Sequence, residues 1–89
     1  MAEARVTITN TRGLHARAAA KFVELSQSFS ATITIVDAQH EVDGKSIMSI
    51  MLLAAGKGHT LTLRTEGDDA DAALVAMRQL IADGFGEID

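Results

Sequence analysis

The chain contains no cysteine, no proline, no tryptophan and no tyrosine, and it has only three phenylalanines. Without cysteine there can be no disulfide, no thiolate metal site, no iron–sulfur cluster and no thiol nucleophile. At 89 residues, a single domain spanning 1–89 is expected, with all its apolar side chains gathered into one core. Long hydrophobic runs are also missing. The longest, Ile47 to Ala55, is interrupted by Ser49 and is too short to span a bilayer. The first residues, Met-Ala-Glu-Ala-Arg-Val, lack the basic and apolar regions of a signal peptide. A cytoplasmic domain with no membrane partner is therefore expected. Apolar residues at 47% and charged residues at 22% match a folded globular chain rather than a disordered one.

A basic excess is absent as well. The formal charge is −4, which disfavours nucleic acid as a partner. The distribution of charge says more than its sum. Arg5, Arg12, Arg17 and Lys21 lie between Glu3 and Glu24 without a carboxylate among them. Lys45, Lys57 and Arg64 lie between Asp43 and Glu66 in the same way. Chance partition in a short chain could produce this. A cationic face on an acidic body is the sharper reading, and it would suit an anion or an acidic partner.

Periodicity supplies the elements. Residues 4–9 alternate Ala4, Val6 and Ile8 with polar neighbours, as a half-buried strand does. Ala16, Ala19, Ala20 and Val23 mark one face of a helix over 16–25. Residues 31–36 alternate again, and His40–Asp43 reads as a short strand after a turn at Asp37-Ala38-Gln39. Ser46 caps a helix expected to run to Ala55 and to stop at Gly56. Thr60–Glu66 is the fourth strand. Asp69 caps a last helix whose stripe is Ala70, Ala73, Leu74, Met77 and Ile81, ended by Gly84. The order βαββαβα predicts an α+β fold, an open-faced two-layer sandwich of a four-stranded antiparallel sheet covered by three helices. Ferredoxin-like strand pairing is the natural expectation for that order.

Most catalytic chemistries fail on spacing. Gly44-Lys45-Ser46 resembles the end of a phosphate-binding loop, but the glycine that motif requires earlier is Gln39. His15, His40 and His59 are too far apart for a helical zinc pair, and no metal or cofactor is expected. There is no Gly-x-Ser-x-Gly elbow. What remains is Gly13-Leu14-His15-Ala16-Arg17, at the start of the first helix. His15 occupies the N-cap, where a neutral imidazole can accept a first-turn N–H through Nδ1 much as asparagine does. The positive end of the helix disfavours imidazolium, leaving an unprotonated nitrogen beside free N–H groups and Arg17. That is a nucleophile with an anion site around it. A histidine that merely caps the helix fits the same local spacing.

Gly13-Leu14-His15-Ala16-Arg17-Ala18-Ala19 resembles the active-site signature of HPr, the histidine-containing phosphocarrier family of the phosphoenolpyruvate-dependent phosphotransferase system. Gly44-Lys45-Ser46-Ile47-Met48 resembles that family's regulatory serine motif. Their spacing, the chain length and the element order all agree with the family. The resemblance implies a carrier rather than an enzyme. By it, His15 accepts a phosphoryl group on Nδ1 from enzyme I and passes it to an EIIA protein or domain. Arg17 matches the phosphate-binding residue, and Ser46 matches the target of an HPr kinase/phosphorylase. A monomer without cofactors is implied. Where the family commonly has proline this chain has Ala18, which keeps its N–H and is compatible with the helix. The residues around His15 and Ser46 look more like the nitrogen-type (NPr) branch than the sugar-uptake branch. The rival class is a small-molecule-sensing regulatory module of ferredoxin-like fold, for which no effector pocket is marked.

Ile47, Met48, Ile50, Met51, Leu52 and Leu53 make the helix after Ser46 apolar around almost its whole circumference. If Ile50, Leu53 and Ala54 face the sheet, Ile47, Met48 and Met51 point outward. Methionines adapt to several surfaces, so this is read as a docking patch ringed by Arg17, Lys21 and Lys45. A deeply buried helix is the alternative.

Overall fold

Alternating strands with one apolar face need a cover, and the three helices supply it on one side of the sheet only. The computed structural model describes residues 1–38, 40–53 and 55–86. Its elements are β1 (Ala2–Thr7), α1 (Ala16–Ser26), β2 (Thr32–Asp37), β3 (His40–Asp43), α2 (Ile47–Leu52), β4 (Thr60–Glu66) and α3 (Ala70–Ala82), followed by a short 3-10 turn at Gly84–Gly86. This is the expected βαββαβα order and the expected open-faced α+β sandwich.

The sheet runs β1-β4-β2-β3, with every pair antiparallel. Ferredoxin-like pairing is thereby corrected, because that arrangement places the first strand in the interior and here β1 is an edge. The reason lies in side-chain burial. β4 buries Leu61, Leu63 and Thr65 and suits an interior position. β3 is short, with His40, Glu41 and Asp43 exposed, and such a strand tolerates an unpaired edge. The core between sheet and helices is built on Phe22, Ile33, Ile35, Leu63, Met77 and Phe85, all essentially inaccessible to water. The opposite face of the sheet is polar, and there Arg64 pairs with Glu3 and Glu41 at 3.1 Å each.

Two boundaries near the site differ from the periodicity. β1 ends at Thr7, and Ile8 leaves the strand while its side chain stays buried. α2 stops at Leu52 rather than at Ala55, its end closed by the Leu53 N–H bonding back to the Ile50 carbonyl (3.2 Å), and the Ala55 carbonyl beyond it accepts the Leu14 N–H. Gln39 and Ala54, named above for the turn and for the sheet-facing side of α2, lie outside the described residues.

Asp69 stands at the N-cap of α3 but makes no side-chain cap. Its carboxylate instead accepts the backbone N–H groups of Ser30 (2.9 Å) and Ala31 (2.8 Å), tying the turn before β2 to the start of α3. The Ser30 N–H, with Ala31 adding to it against partial desolvation, holds this carboxyl below its ordinary range. A depressed folded-state value means that the stabilisation is present at neutral pH and is lost as pH falls through that value. Asp69→Asn should therefore lower the thermal midpoint at pH 7 and flatten its fall below about pH 4. Thermal melts of both proteins across the acid range check this. Parallel curves would mean that Asp69 adds no proton-linked stability.

Candidate functional site

The loop between β1 and α1 is held from two sides. The Ile8 N–H donates to the His59 carbonyl (2.9 Å), and the Gly58 N–H donates to the Ile8 carbonyl (2.8 Å). Asn10 is buried, and its Nδ2 donates to the Gly13 carbonyl (2.8 Å) while the Gly13 N–H returns to the Asn10 carbonyl (3.1 Å). Gly13 has φ +65°, and a Cβ there would lie 2.3 Å from the Ala55 carbonyl oxygen. Only glycine fits both the conformation and the space. The Leu14 N–H then donates to that same Ala55 oxygen (2.9 Å), and the Leu14 side chain is buried.

This bracing delivers His15 to the N-cap of α1, in extended conformation with φ −77° and ψ 179°. Its carbonyl accepts the Ala19 N–H (2.8 Å), and its ring Nδ1 accepts the Arg17 N–H (3.2 Å). A ring nitrogen that accepts carries no proton, so the neutral ring holds its proton on Nε2. The in-plane lone pair of Nδ1 therefore points at a helix terminus whose first N–H groups have no intrahelical carbonyl to serve. The first turn contains no acidic residue to compete for them. Arg17 is exposed, and among the described residues its guanidinium takes no ion pair. Nucleophile, backbone donors and cation are thus gathered at one place. The arrangement can take an anionic group from a donor by in-line attack, the donor atom leaving as the bond to nitrogen forms, and neutralise the group's oxygens as they arrive. Ala18 is fully buried in the first turn.

α2 lies antiparallel to α1. Its C-terminal side abuts the Gly13 loop through Ala55, while Ser26 Oγ at the end of α1 reaches the Gly44 carbonyl (3.0 Å) just before α2. Ser46 is consequently at the far end of this face, one α1 length or about 16 Å from His15. Ser46 Oγ accepts the Ser49 N–H at 3.3 Å and caps α2. Ile50 is buried and Leu53 packs partly against the core, whereas Ile47 (40% exposed), Met48 (75%) and Met51 (44%) face outward. The helix is not a buried one. Leu52, at 81%, is the most exposed apolar residue on α2 and was not assigned to the outward face. Its direction was legible, because Leu52 stands two residues, about 200°, round the helix from the buried Ile50.

The two rim lysines are not free-standing. Lys21 Nζ donates to the Phe85 carbonyl (2.7 Å) and Lys45 Nζ to the Phe29 carbonyl (2.8 Å), so each braces backbone as well as adding charge. His59 is remote in role from His15, with its Nε2 2.9 Å from Asp37 Oδ1. Among the described residues, no three His, Cys, Asp or Glu side chains gather as a metal site would require. No helix among them is long and apolar enough to cross a membrane.

A half-covered antiparallel sheet thus carries a histidine nitrogen at the N-terminus of its first helix, and known proteins of the same build are small phosphocarrier domains. The family model described as the PTS HPr component phosphorylation site matches residues 2–83. The phosphocarrier protein HPr of Cupriavidus necator is 46% identical over 98% of both chains. The phosphocarrier protein NPr of Shewanella violacea is 45% identical over 96% of this chain and 93% of its own. The crystal structure of HPr-C-His from Thermoanaerobacter tengcongensis superposes with a TM-score of 0.95 at 42% identity, covering all of both chains. The chain belongs to the HPr family of phosphotransferase-system phosphocarriers.

Proposed function

We propose that this chain, as one phosphocarrier domain acting as a cytoplasmic monomer without cofactors, accepts a phosphoryl group on Nδ1 of His15 from phospho-enzyme I and delivers it to an EIIA protein or domain. The observation that carries the reading is the N-cap geometry, in which Nδ1 is unprotonated and directed at the first-turn N–H groups of α1. In the transfer the bond from phosphorus to Nδ1 forms as the bond to the donor breaks, and Nε2 keeps its proton. The N–H of Arg17 exchanges its ring-nitrogen acceptor for a phosphoryl oxygen. One arginine and one helix terminus stabilise the group modestly, which suits a carrier that must give it up again. The ferredoxin-like sensing module is not favoured, since the strand order differs from that fold and the family match spans 2–83. HPr-named and NPr-named relatives match at nearly equal identity, so the nitrogen-type reading rests on the motif residues alone. Incubation with enzyme I and labelled phosphoenolpyruvate should give an acid-labile, base-stable phosphoprotein. Absence of label would overturn the assignment.

Arg17→Ala should leave a folded protein that accepts phosphoryl about tenfold or more slowly, because the lost charge acts on the developing phosphate. Rapid-quench transfer rates check this, and unchanged rates would remove Arg17 from the site.

Ser46 is proposed as the target of an HPr kinase/phosphorylase, with the cap on α2 as its resting role. A charge of about −2 beside Ile47, Met48 and Met51 would have to be desolvated on docking and would repel an acidic partner rim. Ser46→Asp keeps an N-cap acceptor and should fold normally. It should bind enzyme I about tenfold more weakly and transfer correspondingly more slowly at low salt. Equal affinities in a calorimetric titration would leave Ser46 as a cap and nothing more.

A further inference from the structure

Opposite the α2 patch, at the other edge of the sheet, β1 and α3 bound an open groove of about 490 Å³. Its walls include Arg5 and Thr7 on one side and Val75, Arg78, Gln79 and Ala82 on the other, and no residue lining it is acidic. Neither guanidinium has an ion-pair partner among the described residues, although acids outnumber bases in the chain. Val75 is 65% exposed, an apolar side chain left open beside two cations.

Among the described residues the edge itself is unpaired. Ile8 directs its N–H to the His59 carbonyl, on the β4 side. Backbone direction alternates along a strand, so Val6 and Ala4 also bond inward while Thr7, Arg5 and Glu3 turn their N–H and C=O groups outward. The close approach of the Thr7 and Thr60 hydroxyls (3.2 Å) fits that phase, because side chains are nearest in non-hydrogen-bonded pairs. An edge of this kind offers donors and acceptors in alternation. A free inorganic anion could meet the arginines but could not match the alternating donors and acceptors along the strand.

We propose that this groove binds an extended acidic peptide segment of a partner protein, which adds a strand to β1 and sets carboxylates against Arg5 and Arg78. Main-chain bonds to Arg5 and Thr7 would supply register; acids would meet Arg5 on the open face, and on the α3 side an acid for Arg78 would alternate with an apolar side chain covering Val75. The groove lies over the edge opposite α2, so such a partner could be held while the His15 face remains open. This goes beyond the phosphocarrier reading and does not depend on it.

The test uses the full chain and a synthetic peptide repeating Glu-Glu-Glu-Val, which as a strand is acidic on one face and alternates glutamate with valine on the other. Titration followed by amide chemical shifts should show saturable binding with Kd below about 1 mM, with the largest shifts at Glu3, Arg5, Thr7 and Arg78. Exchange of the Arg5 and Thr7 amide hydrogens should slow in the complex. The Arg5→Glu/Arg78→Glu double variant should bind at least tenfold more weakly while keeping its phosphoryl acceptance, and His15→Ala should bind the peptide as well as wild type. The same peptide N-methylated at alternate amides should also lose at least tenfold. Equal binding of the methylated peptide, the same amide protection with tripolyphosphate, shifts confined to the α1–α2 face, or no binding would each overturn the proposal.

Discussion

Replacement of His15 by alanine should abolish phosphoenolpyruvate-dependent labelling while leaving the fold standing. The ring is only half-buried, and it serves the fold as a helix cap, accepting the Arg17 N–H at 3.2 Å. Loss of an N-cap acceptor is worth about 1 kcal/mol, which lowers the melting midpoint by only a few degrees in a chain this size. The chemical loss is complete because no other imidazole is placed to replace it. His59 faces Asp37 at 2.9 Å, and His40 stands exposed on the edge strand β3. Neither lies at a helix N-terminus with donors waiting for a phosphoryl oxygen. Labelling of wild type and variant, with thermal melts on the same preparations, separates the two effects. Undiminished label, or label transferred to His40 or His59, would remove His15 as acceptor.

Gly13→Ala should be the most destabilising single-methyl change in the site loop, by about 3 kcal/mol or more. Two terms contribute. Alanine at φ +65° costs about 1–2 kcal/mol in the left-handed region. The new Cβ would also lie 2.3 Å from the Ala55 oxygen and 2.7 Å from the Gly56 Cα, both backbone atoms that cannot rotate away. The two loops must separate, and the Leu14 N–H bond to Ala55 is the first to go. In a domain of this size the midpoint should fall by about 10–20 °C. Phosphoryl acceptance should fall with it even well below the midpoint, since the same contact positions His15. A variant within about 1 kcal/mol of wild type in urea unfolding would show that the loops can part cheaply.

The elements themselves were readable because they are local. Alternation over 31–36 and 60–66 reports which face of a strand meets the core, and the stripe Ala70, Ala73, Met77 and Ile81 does the same for α3. His15 as an N-cap was readable for a similar reason, since capping involves a residue and its neighbours two or three positions on. What failed was each feature set by residues distant in sequence. Periodicity carries no information about which strand lies beside which, so the interior place of β4 emerged only from the register of β1 and β2 against it. Asp69 looked like an ordinary cap, yet its oxygens are taken by Ser30 and Ala31, nearly forty positions earlier. Lys21 and Lys45 read as the cationic rim of a docking patch, and only the fold brings the carbonyls of Phe85 and Phe29 within reach of them. α2 ends at Leu52, short of the expected Ala55, and the loop beyond it offers its Ala55 carbonyl to Leu14. The sequence by itself determined the helices, the strands and the capping histidine, whose energetics are local. Tertiary structure decided strand order, helix length and the loop that aims the imidazole, because backbone groups left over by one segment must be satisfied by another.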